Sequence, residues 1–194
     1  MKHTLIGIVG VLVFAGAGGY LYSLKGDGLD ASLLDKKEKT SVAVLHTNQG
    51  DIIMELYRDK VPELTKNFTE LVRSGKYNGT IFHRVIDGFM IQGGDYERFN
   101  GTGGKSYTGG YLKDEIVPGL THTRGVVSMA NKGPNTNGSQ FFIVQNDAKF
   151  LDGRHSIFGQ VTEGMDIVDK IAKMPKDELD APIERIVIRD IELR

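Results

Sequence analysis

From Ser41 onward the apolar residues of this 194-residue chain come in short runs broken by glycine, and that punctuation limits the fold more than any other feature. The runs VAVLHT and IIMELY flank Asn48-Gln49-Gly50-Asp51, a hairpin signal. Further strand-length runs cover residues 81–86, 89–92, 126–130, 140–145, 156–161 and 183–193. Twenty-five glycines against five prolines, widely spread, supply the tight turns that so many strands need. Two stretches read as helix. VPELTKNFTELVRSGKY puts Pro62 in a first turn, aligns Leu64, Phe68, Leu71 and Val72 in one stripe, and stops at Gly75. Residues 165–173 form the second, shorter one. Many strands with few helices predict a mainly β fold, a closed barrel or a sandwich.

The amino-terminal segment follows other rules. Thr4 to Leu24 carries no charge, Lys2 precedes it, and its length is close to the ~20 residues that cross a bilayer. We read residues 1–24 as a transmembrane anchor. The alternative is a cleaved signal peptide, with Leu5 to Phe14 as its apolar core and Ala15-Gly16-Ala17 as its cleavage site. Apolar residues continue past that site through Tyr20, Leu21, Tyr22 and Leu24, which favours the anchor. Residues 25–40, polar and of mixed charge, read as a tether, leaving 41–194 as the folded domain. Lys25, Lys36, Lys37 and Lys39 argue for a cytoplasmic domain, whereas a short leading tail argues for export. Export, to a periplasmic or extracellular face, is the expectation; secretion after cleavage and a cytoplasm-facing domain are the alternatives.

A net charge of −1 gives no polyanion-binding surface, so nucleic acid is not an expected partner. Without cysteine there is no thiol nucleophile and no thiolate metal ligand. His3, His46, His83, His122 and His155 lack close ligand spacing, so no metal and no cofactor are expected. Ser128 and Ser139 do not lie in a nucleophile-elbow pattern, which argues against a hydrolase. The N-x-S/T sequons at Asn67, Asn78, Asn100 and Asn137 read as chance.

One arginine stands out. In FHRVIDGFMIQGGD, Arg84 lies among Phe82, Val85, Ile86, Phe89 and Met90, where a buried unpaired cation would be very costly. It must reach water or face something that needs it. Met90 and Gln92 share one strand face, as do Gln140 and Phe142. If those strands neighbour Arg84, they make a shallow apolar pocket edged by one cation and two amides. Such a pocket suits an apolar ring and its flanking peptide groups.

FHRVIDGFMIQGGD, NGTGGKS, SMANKGPNTNGSQFFI and FLDGRHSIFGQV resemble, in that order, motifs of the cyclophilin type of peptidyl-prolyl cis-trans isomerase. The resemblance covers about Ser41 to Arg194, with the compact segment before FHR similar to bacterial-type members. It implies an eight-stranded antiparallel β-barrel closed by two helices, with a packed interior and an active groove on its outer face. It implies Arg84 as the catalytic residue. Phe89, Met90, Phe142 and Leu151 would grip proline, Gln92 and Asn131 would hold the flanking peptide, Ala130 and Gln140 would complete the pocket, and Phe150 and His155 would form its rim. The implied partners are proline-containing polypeptides and unfolded proteins. Phe150 replaces a tryptophan found in many members, which implies weak cyclosporin binding. A tethered proline-binding chaperone or scaffold with incidental catalysis is the alternative function.

Overall fold

The computed structural model describes residues 41–194. The expected anchor (1–24) and tether (25–40) lie outside the described residues. Eight strands, β1 (Val42–Thr47), β2 (Asp51–Leu56), β3 (Phe82–Ile86), β4 (Met90–Gly93), β5 (Val126–Met129), β6 (Phe141–Val144), β7 (Ile157–Glu163) and β8 (Ile188–Leu193), form one sheet in the order β3-β4-β6-β5-β7-β2-β1-β8. Every neighbouring pair is antiparallel. Next to the two end strands the chain meets itself. Ile81 and Val187 form an antiparallel bridge, and the Phe82 N–H donates to the Ile186 carbonyl at 2.9 Å.

The expected hairpin joins β1 to β2. Its turn is held by the Thr47 hydroxyl, which accepts from the N–H groups of Gln49 (3.0 Å) and Gly50 (3.1 Å). Gly50 has φ 138, and a Cβ there would lie 2.7 Å from Ile167 Cδ1, so glycine is required on both counts. Helix α1 (Pro62–Arg73) and the shorter α2 (Met165–Ala172) cover the inner face of the sheet. The α1 residues Leu64, Phe68 and Leu71 are fully buried, and Phe68 packs against Tyr77, Phe141 and Phe158 with ring centroids 5.1–5.7 Å apart. Val61 at the head of α1 offers no capping side chain. The carboxylate of Glu115 takes that place, accepting from the N–H groups of Glu63 (3.3 Å) and Leu64 (2.8 Å).

Strand alternation sorts the side chains. Ile91, Val127, Met129, Phe141 and Ile143 point into the main core, while Met90, Val126, Phe142 and Val144 build a second apolar cluster on the opposite face. Strands β4, β5 and β6 are therefore apolar on both sides, which explains why VVSM and FFIV read as continuous apolar runs.

Helix α1 ends at Arg73 with Ser74 as its C-cap, and Gly75, with φ 67, stops it as expected. Two expected strand boundaries shift. Phe89 belongs to the Asp87–Phe89 turn and not to a strand, with its N–H returned to the Ile86 carbonyl at 3.1 Å. Residues 183–187 form no strand beyond the single bridge at Val187: Ile183 is exposed, and its N–H donates to the Pro175 carbonyl at 2.9 Å.

Candidate active groove

Strand register assembles the site. Arg84 on β3 is paired with Gln92 on β4, Gln92 with Phe142 on β6, and Phe142 with Ser128 on β5. These four residues form one row across the outer face of the sheet, and Ile86, Met90 and Val144 form the next. A cleft of about 190 Å³ opens over these rows, lined by Arg84, Phe89, Met90, Gln92, Ala130, Asn131, Phe142, Leu151 and His155. Residues far apart in sequence but expected together thus meet in one place.

Two expected members stand apart from that cleft. Gln140 lines an adjoining pocket together with Gln92, Ala130 and Asn131. Its amide donates to the carbonyls of Gly101 (2.9 Å) and Gly103 (2.7 Å), and its carbonyl accepts from Gln92 Nε2 at 2.9 Å. Both amides are thereby oriented, and the Gln92 carbonyl oxygen is left without a partner among the described residues. Phe150 does not line the cleft: 66% exposed on the 3₁₀ turn Lys149–Leu151, it rests its ring 5.5 Å from that of Phe89. It is a rim residue without a wall.

Arg84 reaches water, with 45% of its side chain exposed. Its Nε lies 3.7 Å from Asp180 Oδ2, and Asp180 Oδ1 lies 2.6 Å from Lys176 Nζ. The Lys176 ammonium, with Arg84 behind it, holds the Asp180 carboxyl below the usual range. Asp180 also accepts the Val85 N–H on its backbone carbonyl at 2.9 Å, which fixes the carboxylate beside β3. Alternation would send His83, the neighbouring residue, to the opposite face, but a bulge between Phe82 and Arg84 interrupts it. His83 is buried and lines, with Arg84, Phe99 and Gly101, the cleft beside the arginine.

The pocket floor is braced from below. His122, fully buried, lies almost parallel to Phe142 with centroids 6.0 Å apart, and His155 meets the same ring edge-on at 5.4 Å. His122 Nδ1 is 2.7 Å from Asp152 Oδ1, and its Nε2 is 3.1 Å from Ser128 Oγ. Burial lowers the His122 pKa against the pull of Asp152, so the ring is neutral near pH 7. A serine, a histidine and an aspartate are thus hydrogen-bonded in line, but Ser128 and His122 have no exposed surface. A nucleophile that substrate cannot touch does no chemistry, and these groups orient Phe142 instead. Sequence reasoning missed His122 and Asp152 in this role, although Asp152 lies within the FLDG motif. His155 Nδ1 donates to the Met129 carbonyl at 2.9 Å, because a carbonyl oxygen only accepts.

The cleft joins an apolar floor, two oriented amides and one half-exposed guanidinium. It can hold a ring and bond the peptide groups beside it, without a nucleophile. Comparison with known proteins identifies the family. The family model described as "Cyclophilin type peptidyl-prolyl cis-trans isomerase/CLD" matches residues 42–193. The peptidyl-prolyl cis-trans isomerase-like 1 of Gibberella zeae is 48% identical over 150 residues, covering 77% of this chain and 92% of that one. The isomerase-like 2 of Rhizopus delemar is 47% identical over 84% of this chain, which spans 31% of that longer protein. Among solved structures, a Cryptosporidium parvum cyclophilin type peptidyl-prolyl cis-trans isomerase superposes with TM-score 0.77 at 43% identity, over 80% of this chain and 98% of that one. A crystal structure of the same protein in the presence of the dipeptide Ala-Pro matches with TM-score 0.76.

Proposed function

The chain belongs to the cyclophilin-type peptidyl-prolyl cis-trans isomerases, and from that membership we propose a mechanism in which Arg84 lowers the barrier to rotation about X–Pro bonds. Amide resonance sets that barrier at about 18–20 kcal/mol, and uncatalysed exchange takes tens to hundreds of seconds. A turnover near ~10²–10³ s⁻¹ needs roughly 5–7 kcal/mol of lowering, at ~1.36 kcal/mol per tenfold. When the bond twists, resonance is lost and the prolyl nitrogen regains a lone pair. A guanidinium beside that nitrogen donates to it only in the twisted state, which is selective stabilisation of the transition state. Asp180 pairs with the Nε side of Arg84 and leaves the two Nη groups to serve as those donors. The proline ring rests on Met90 and Phe142 between Phe89 and Leu151, while Gln92 and the Asn131 backbone hold the flanking peptide.

The observation that carries this reading is the convergence of Arg84, Gln92 and Phe142 on one register row beneath a single cleft. The test is Arg84→Ala. Prolyl exchange followed by exchange NMR should show kcat/KM lower by about 10²–10³, as for loss of one preorganised electrostatic group. The melting temperature should barely move, because a half-exposed ion pair is worth only about 0–1 kcal/mol. Near-normal turnover in the folded variant would remove Arg84 from the mechanism.

We also infer that the sheet closes into a barrel. The support is the Ile81–Val187 bridge beside its two end strands, reinforced by the Ile188 N–H donating to the Thr80 carbonyl at 2.8 Å. Cellular placement is a further proposal: the uncharged run from Thr4 to Leu24 supports a membrane-anchored, exported domain. Protease added to intact cells should then cut the domain, and a mature terminus at Gly18 would instead mark a cleaved signal.

A further inference from the structure

We propose that the cleft on the other side of Arg84 is a second subsite for the same polypeptide substrate, and that it takes a bulky apolar side chain from the segment flanking the X–Pro bond. The proposal rests on the isomerase reading. This cleft, at about 420 Å³, is larger than the proline cleft at about 190 Å³, and Arg84 and Gln92 line both. On one side of the bond, a substrate with its proline over Phe142 can run on past these shared residues. Extended chain advances ~3.3–3.6 Å per residue, so two to four residues bring it across the neighbouring cleft.

Arg84, Arg185 and His83 give this cleft a polar side, and across from them stand two exposed apolar side chains that are held in place. On one side Phe99 is 40% exposed with φ 59, a left-handed conformation that a bulky side chain rarely adopts. Such strain persists only where the surroundings impose it, and it gathers at binding sites. Here the surroundings are Asp95, fully buried, whose carboxylate accepts from the N–H groups of Glu97 (3.1 Å), Arg98 (3.0 Å), Asn100 (3.3 Å), Gly101 (2.9 Å) and Gly103 (3.0 Å). Phe99 sits on the loop that this carboxylate ties.

On the other side Leu179 is 81% exposed. Its turn is tied just as firmly. Asp177 Oδ1 accepts from the N–H groups of Leu179 (2.8 Å) and Ala181 (2.9 Å), and Asp180, with φ 63, bridges to Lys176. A lone exposed leucine on a surface is ordinary. A leucine and a strained phenylalanine, each fixed on a tied turn and lining one cleft that continues from the catalytic one, form a preorganised apolar slot.

The test uses the full-length chain and nine-residue peptides with one central Ala-Pro, otherwise alanine, in which a leucine is walked two to four residues to either side. Exchange NMR measures kcat and KM. At one leucine position KM should fall about tenfold relative to the all-alanine peptide, the equivalent of ~1.4 kcal/mol, with kcat little changed. In Leu179→Asp that ratio should return to about one. Equal KM for every leucine position overturns the subsite, and so does a leucine preference that survives Leu179→Asp. No turnover of the all-alanine peptide would instead overturn the isomerase reading itself. If the variant does not fold, the Leu179 and Ala181 methyl resonances of the unmodified protein decide. Shifts that follow leucine peptide but not alanine peptide support the subsite. Shifts that follow protein concentration alone mean that a second copy covers the cleft, and overturn it.

Discussion

Phe150 offers a wide apolar face at the rim but no hydrogen-bond donor. Its ring already lies against Phe89 and its outer surface is open to a ligand. Phe150→Trp adds one indole N–H to that face, and a new hydrogen bond contributes about 0.5–1.5 kcal/mol. We expect cyclosporin affinity to rise by roughly 2- to 10-fold, measured by calorimetric titration of the two forms. Equal affinities would show that this rim does not reach the drug. At this scale the groove was largely readable from sequence, because Arg84, Gln92 and Phe142 stand in contiguous motifs and alternation gives their shared face. What braces them was not readable. Asp180 beside Arg84 and His122 beneath Phe142 come from distant loops with no spacing relation to their partners, so only the folded chain brings them together.

Helix α1 lacks a capping side chain of its own and takes one from Glu115, whose N–H in turn donates to Ser156 Oγ at 2.9 Å. A carboxylate at a helix amino terminus satisfies two free N–H groups and lies at the positive end of the helix dipole. Glu115→Gln removes the charge while keeping the shape. We expect a loss of about 0.5–2 kcal/mol, as for other N-terminal caps, seen in calorimetry as a fall of about 2–4 °C per kcal/mol. An unchanged melting temperature would mean that water caps the helix equally well. Sequence pattern found both helices and nearly all the strands, because the 3.6-residue stripe of Leu64, Phe68 and Leu71 and the short β runs are local signals. Strand ends were less legible. Phe89 and Ile183 are apolar enough to prolong a strand, but a turn takes the first and solvent the second. Neither outcome is written in hydrophobicity.

The described domain carries its own core, two helices and the whole groove within residues 41–194. A chain beginning at Ser41 should therefore fold cooperatively and isomerise short proline peptides with the kcat/KM of the full-length protein, measured by exchange NMR. A folded but inactive domain would show that residues 1–40 contribute to catalysis. The order of strands in the sheet has a consequence for synthesis. The first strand, β1, is sealed by the last, β8, whose final residue is Leu193. Such long-range pairing makes folding slow relative to helical proteins, because the closing loop spans almost the whole domain. On the ribosome β1 must wait beside an unfilled edge until β8 has been translated and has cleared the exit tunnel. The nascent domain therefore emerges unfinished, with an open strand edge that chaperones could hold.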